Sequence, residues 1–248
     1  MVRRIPATIS TPSMRRLVRP RLIRIAVNSV SAPSGRYTGH QKIIVFMTCG
    51  IERTNMTDTM WHASLVLAIY RNRHVAQARY FQLATVRSDG RPANRTVVFR
   101  GFLGGGHSIM VVADRRSGKA REIAADGRCE ACWYFPMTRE QFRLGGRVRV
   151  LGLDDDDVEA ARACREVWRG LSDATRQSFT WPAPGAPRDP ETSFGASALG
   201  PEVPAPDFLL LVLEPDEVDH LELDGNPQNR WAYRRGDDGG WTAVEINP

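Results

Sequence analysis

RPANRTVVFRGFLGGGHSIMVVADRRSGK, residues 91–119, reads as a polar turn, a β-branched strand, a glycine-rich reversal, a second strand and a basic segment that opens a helix. Strand-forming residues dominate Arg95 to Arg100 and again Ser108 to Val112, and Gly104, Gly105 and Gly106 turn the chain between them. Two neighbouring strands are therefore expected. At the exit of the second, Asp114 to Lys119 sets Arg115, Arg116, Ser117 and Lys119 around the first turn of a helix predicted to reach about Asp126. A helix start has backbone N–H groups without partners, and a hydroxyl and fixed cations beside it suit a phosphate. A phosphorylated cofactor is expected there.

Working outward, residues 80–86 (YFQLATV) form a strand, and Asp89-Gly90 lies in the hairpin turn that leads into Arg95. Before them, the segment from Thr57 carries Trp61, Leu65, Ala68 and Ile69 on one face, the pattern of an amphipathic helix laid over a barrel end. After the basic turn, residues 129–135 and 140–152 supply a fourth and a fifth strand. The acids of 154–157 cap a helix, 172–179 is a short helix, and the proline-rich 181–190 is loop. The apolar run in 207–215 reads as a strand buried on both faces, and a final hairpin closes the chain. Adjacent strands with short turns argue for a mainly β (α+β) fold, a split antiparallel β-barrel with flanking helices.

Charge separates the chain into two parts. Residues 1–55 hold ten Lys/Arg and one acid, so the remaining residues carry a net −3 of the overall +6. A nucleic-acid role would have to rest on that arm alone. Three accounts fit the arm: a disordered extension, an upstream translation outside the natural protein, or an organellar transit peptide. Residues 56–248 are expected to form the folded domain. Lys42 and Lys119 are the only lysines, and Lys119 lies in the phosphate-like turn. Four cysteines without an apolar leader suggest a reducing, cytoplasmic setting.

From about Met56 to Pro248 the chain resembles the pyridoxamine-5′-phosphate oxidase-like family of flavin-binding split barrels. The matching pieces are RTVVFR (95–100), SGK (117–119), TREQ (138–141) and the closing Arg230, Tyr233, Trp241 and Asn247-Pro248. Their order and spacing carry the resemblance. It implies an FMN-dependent oxidoreductase acting on a small molecule, with FMN held where the two subunits of a homodimer meet. The implied FMN-binding residues are Arg95, Thr96, Val97, Val98, Phe99, Arg100, Ser117, Lys119, Gln141 and Arg230. Strict strand alternation puts Arg95 and Arg100 on opposite faces, and Arg95 is the expected phosphate ligand. Gln141 and Arg230 are expected at the flavin's pyrimidine edge. The family's basic residue is replaced by Gly118, with Arg115 or Arg116 as substitutes. The Arg-Leu-His element of the vitamin B6 oxidase reads Asn-Pro-Gln (226–228), which implies another substrate.

The remaining candidates have plainer readings. Cys129 and Cys132 fall on opposite faces of one strand, so neither a redox pair nor a metal site is expected. Adjacent aspartates diverge on a helix, which disfavours a metal at 154–157. His62, His74, His107 and His220 read as surface or capping residues, and Trp133, Tyr134 and Phe135 as barrel core. An oxidoreductase ranks above a flavin carrier or sensor with little turnover, and both rank above a nucleic-acid binder. No membrane partner is expected.

Overall fold

The computed structural model describes residues 60–153, 157–192, 194 and 199–248. The basic arm and Asp154 to Asp156 lie outside the described residues, as does the predicted helix start at Thr57. Helix α1 (Met60–Arg71) is followed by strands β1 (Tyr80–Val86), β2 (Pro92–Phe102) and β3 (Ile109–Asp114). Helix α2 (Gly118–Ala125) leads into β4 (Arg128–Phe135) and β5 (Glu140–Leu151). Helices α3 (Val158–Arg169) and α4 (Asp173–Gln177) precede β6 (Phe208–Glu222), β7 (Asn229–Arg235) and β8 (Trp241–Glu245).

The sheet runs β3-β2-β1-β4-β5-β6-β7-β8, and a further pairing of β3 with β6 closes its first six strands into an antiparallel barrel. Closure removes the exposed edges that an open sheet of this composition would leave. Strand β6 makes it possible by its length: Phe208 to Leu213 pair with β3, while Glu217 to Glu222 pair with β7. The sequence reading ended this strand at Pro215, where proline cannot donate to a ladder. The strand continues because Pro215 lies at a register shift opposite Gly146, where pairing is interrupted in any case. A Cβ on Gly146 would collide with the Glu214 carbonyl, so only glycine fits the close approach.

Alternation sorts the side chains. Phe81 and Leu83 of β1, Val97 and Phe99 of β2, Ala131, Trp133 and Phe135 of β4, and Phe142 and Leu144 of β5 point inward and are buried. Trp133 is central, with Phe81, Phe99 and Phe135 centroids 5.0, 4.9 and 5.1 Å away, and its Nε1 donates to the Ala78 carbonyl at 2.9 Å. Tyr134, expected in the core, instead faces outward and is 44% exposed, as alternation requires of a residue between two inward ones. Cys129 and Cys132 are both free thiols. Helix α1 closes one end of the barrel with Trp61, Leu65 and Ala68. Its last turn is tied to the β4–β5 turn by Asn72, which donates to Thr138 Oγ1 and accepts from Met137 N. A second apolar layer, built on Cys164, Trp168, Phe179 and Phe208, packs outside β3 and β6.

Two histidines depart from the surface reading. His220 is 2% exposed, stacked on Phe142 at 4.1 Å, with Nε2 3.0 Å from Glu140 Oε2. The carboxylate partner comes from a residue 80 positions away, so no local pattern announces it. His62 packs against Phe102, His107 and Trp61, and burial followed by repulsion from His107 lowers its pKa from 6.5 to about 4. Its neutral form is the folded form. The stability it permits is complete above pH 6.5 and declines as pH falls toward 4, because the unfolded chain takes up that proton first. We expect the His62→Gln variant to show a flatter loss of thermal stability between pH 6.5 and 4 than the parent; equal slopes would mean His62 does not carry the effect.

Candidate functional site

A cleft of about 550 Å³ opens on the outer wall of β2 and β3. Thr96, Val98 and Arg100 of β2 and Val112 and Asp114 of β3 form one side, with Lys119 from the first turn of α2. The other side is Thr175, Ser178 and Phe179 together with the loop from Trp181 to Phe194. The barrel supplies the rigid wall, and the connection between α4 and β6 supplies the outer one.

Two cations on the β2–α2 side of this cleft have no ion pair among the described residues. Lys119 makes no hydrogen bond or ion pair within the described residues, and burial followed by repulsion from Arg95 pushes its ammonium below its ordinary value, against the pull of Asp114 and Glu122. Arg100 likewise has no ion pair, and its Nε is buried with no hydrogen-bond partner. Burial and then the charge of Arg79 depress it. A desolvated cation without a counter-charge is costly, and an anion placed between such groups removes the cost.

The neighbouring arginines are committed elsewhere. Arg95 turns to the inner face, as alternation predicts, and its Nη2 donates to Glu122 at 2.5 Å while Nη1 donates to the Thr85 hydroxyl and the Leu83 carbonyl. It does not line the cleft, but its charge lies near enough to depress Lys119. Arg116 pairs with Asp114 at 2.7 Å and Asp207 at 3.1 Å, so it is not free to replace the missing cation at Gly118. Ser117 is the N-cap residue of α2, but its hydroxyl donates back to the Asp114 carbonyl at 2.6 Å and is buried. No side chain caps that helix start. Val97 lines the cleft and Phe99 belongs to the core.

Gln141 and Arg230 sit apart, on the outer faces of β5 and β7. They flank Leu221 of β6, which pairs with Gln141 on one side and with Arg230 on the other. Gln141 accepts a weak hydrogen bond from the Cys132 thiol at 3.8 Å. Arg230 donates to Asp219 at 2.7 and 3.1 Å, a contact that raises its already high pKa. Three strand spacings separate β2 from β5 by way of β1 and β4, and three separate it from β7 by way of β3 and β6, roughly 14 Å each along the curved wall. The exposed rings of Tyr80 and Tyr134, each 44% accessible, lie between. Ten sequence candidates thus fall into a cleft group (Thr96, Val97, Val98, Arg100, Lys119), a group at the barrel end and core (Arg95, Phe99, Ser117), and an outer pair (Gln141, Arg230).

Elsewhere, the donor atoms of Glu140, His220 and Glu222 lie within 4.8 Å of one another, a spacing that a metal ion can bridge. Glu140 is already hydrogen-bonded to His220, and Glu222 accepts from Asn229 at 3.1 Å. Asp157 at the end of the acidic run caps α3, accepting from Glu159 N at 2.9 Å. No helix among the described residues is long and apolar enough to cross a membrane.

A closed six-stranded barrel with flanking helices and a cationic cleft on its outer wall defines the class, the split β-barrels of the flavin-binding kind. Residues 58–152 match the pyridoxamine 5′-phosphate oxidase FMN-binding domain. A pyridoxine/pyridoxamine 5′-phosphate oxidase 2 from Arabidopsis thaliana is 37% identical over 191 residues, 76% of this chain and 96% of that protein. The crystal structure of a pyridoxamine 5′-phosphate oxidase-related, FMN-binding protein from Nostoc punctiforme superposes with a TM-score of 0.73 at 48% identity, covering 76% of this chain and 97% of that one. PhzG from Burkholderia lata, at 19% identity and a TM-score of 0.62 over 77% of this chain and 93% of its own, shares the fold. The chain belongs to the pyridoxamine 5′-phosphate oxidase family, a family of oxidoreductases, and its cofactor is FMN.

Proposed function

We propose that this protein is an FMN-dependent oxidoreductase acting on a small molecule, with FMN in the cleft between β2 and the 181–194 loop. The observation that carries the reading is the pair of unpartnered cations, Arg100 and Lys119, on one wall of that cleft. Arg100 presents a two-pronged donor and Lys119 a compact charge, a combination suited to a phosphate dianion. Thr96, Val97 and Val98 then form the wall along the cofactor.

Gln141 and Arg230 are too many strands away to reach the same cofactor within one chain. A second copy docked on the outer face around Tyr80 and Tyr134 brings its own Gln141 and Arg230 to the cleft, which supports a homodimer with two shared sites. When bound, FMN supplies the hydride or electron chemistry. The chain's residues orient it, and an amide and a cation at the pyrimidine edge stabilise the negative charge of the reduced ring. Asp219 holds Arg230 in place for that role. We also propose that residues 56–248 suffice for this site and that the basic arm is dispensable for it.

The purified protein, mixed with FMN and desalted, is expected to retain a stoichiometric flavin absorption spectrum that bleaches with NAD(P)H or an amine donor. Retention without reduction by any donor would favour a flavin carrier, and no retention would overturn the reading. The β6–β7 turn reads Asn226-Pro227-Gln228 and offers no cation, which separates the substrate from pyridoxine phosphate held at that turn.

A further inference from the structure

The loop that closes the cleft stands opposite the wall that carries Arg100 and Lys119. Residues 181–192 contain no helix or strand, but Pro182, Pro184, Pro187 and Pro190 restrict their backbone. Ala186 N donates to the Ala183 carbonyl at 3.1 Å. Asp189 accepts from Glu191 N at 2.9 Å and from the Thr192 hydroxyl at 3.1 Å. A long connection built this way in a compact domain is characteristic of binding loops.

Its ends bring together three side chains that line the cleft: Trp181, Arg188 and Phe194. Phe194 meets Trp181 edge to face, with centroids 5.7 Å apart and ring planes at 79°. The Arg188 guanidinium lies 4.7 Å over the Phe194 ring and makes no ion pair or hydrogen bond with the described residues. Both rings keep more than a third of their surface exposed, at 38% and 37%. Exposed aromatic faces beside a pre-oriented, unpaired guanidinium form a receptor for a flat ring that carries an acid group.

We infer that the 181–194 loop selects the substrate, and that the substrate is a planar compound with a carboxylate or phosphate, its ring against Trp181 and Phe194 and its acid on Arg188. The inference rests on the cofactor reading above, with Arg100 and Lys119 left to the FMN phosphate on the opposite wall. The cation missing from the β6–β7 turn is thereby supplied from the outer wall of the cleft. Binding is the whole of the claim: Arg188 is a specificity-determining residue and no bond is made or broken at it.

The test uses the FMN-loaded full chain and follows the flavin absorption band while 2-naphthoate, 2-naphthyl phosphate and the neutral 2-naphthamide are added in turn. The parent is expected to bind at least one of the two acids and to bind the amide more weakly. The Arg188→Ala variant is expected to retain FMN as the parent does and to lose about ten-fold or more in acid affinity, the value of a charged hydrogen-bonded pair, with little change for the amide. The Trp181→Ala variant should weaken acid and amide alike. Comparing the two acids tells a carboxylate-bearing from a phosphate-bearing substrate. Unchanged acid binding in Arg188→Ala, or no acid binding by the parent holoprotein, would overturn the inference. Loss of FMN from Arg188→Ala would reassign Arg188 to the cofactor and overturn it as well. A parent that holds no FMN would overturn the cofactor reading instead.

Discussion

The Arg100→Ala/Lys119→Ala double variant is expected to come off a desalting column colourless, while the parent keeps its flavin. Each cation lines the cleft with no ion pair to a described residue, so each can give a phosphate a charged hydrogen bond worth about 1.5–3 kcal/mol. Together they are worth roughly 3–6 kcal/mol, or about 10²- to 10⁴-fold in affinity. The same isolation predicts what happens without flavin. Removing two desolvated, unpartnered charges relieves the apoprotein, so its melting temperature should hold or rise. Arg95→Ala makes the contrast, because it leaves Glu122 half-buried without its guanidinium and should lower apoprotein stability. A double variant that binds FMN as tightly as the parent, by fluorescence-quenching titration, would remove the phosphate site from this cleft.

Trp133→Ala should produce the largest loss of stability of any single core change. The indole is fully buried among Phe81, Phe99 and Phe135, three rings from three strands, so its removal leaves a cavity that none of them can fill without leaving its rotamer. Loss of a buried tryptophan costs about 3–5 kcal/mol, and the Ala78 carbonyl is stranded as well. For a chain of this size that corresponds to a fall in melting temperature of roughly 6–20 °C. The effect should extend to the site, because Phe99 lies in β2 between Val98 and Arg100, and a shift of that ring moves the cleft wall. Thermal unfolding with and without excess FMN separates the two contributions. A fall of only a few degrees would mean the barrel repacks around the gap.

The proposed cofactor wall was partly legible because it is local. Arg100 is five residues after Arg95 on one strand, and a period of two is enough to place them on opposite faces. What the strand pattern did not reveal is which face holds the cleft, since Arg95 finds Glu122 and Thr85 across the barrel end, contacts 27 and 10 residues away. Ser117 shows the same limit. The motif places a hydroxyl at a helix start, and only the backbone path of β3 turns it onto the Asp114 carbonyl. The loop residues Trp181, Arg188 and Phe194 gave no periodic signal, although the density of proline and the conspicuous tryptophan mark a loop of fixed shape.

By itself the sequence determined the strand and helix inventory and the basic turn at Lys119, because each follows from spacing within a dozen residues. Only the tertiary structure decided the barrel closure, the burial of His220 against Glu140, and the exposure of Tyr134. It also decided the separation of Gln141 and Arg230 from the cleft. Closure depends on β6 pairing with both β3 and β5, contacts about 100 and 70 residues long in the chain, and β6 continues past Pro215 only because Gly146 lets the backbones approach. Such pairings are settled by packing and by strand register over the whole domain, and neither is a property of any single stretch.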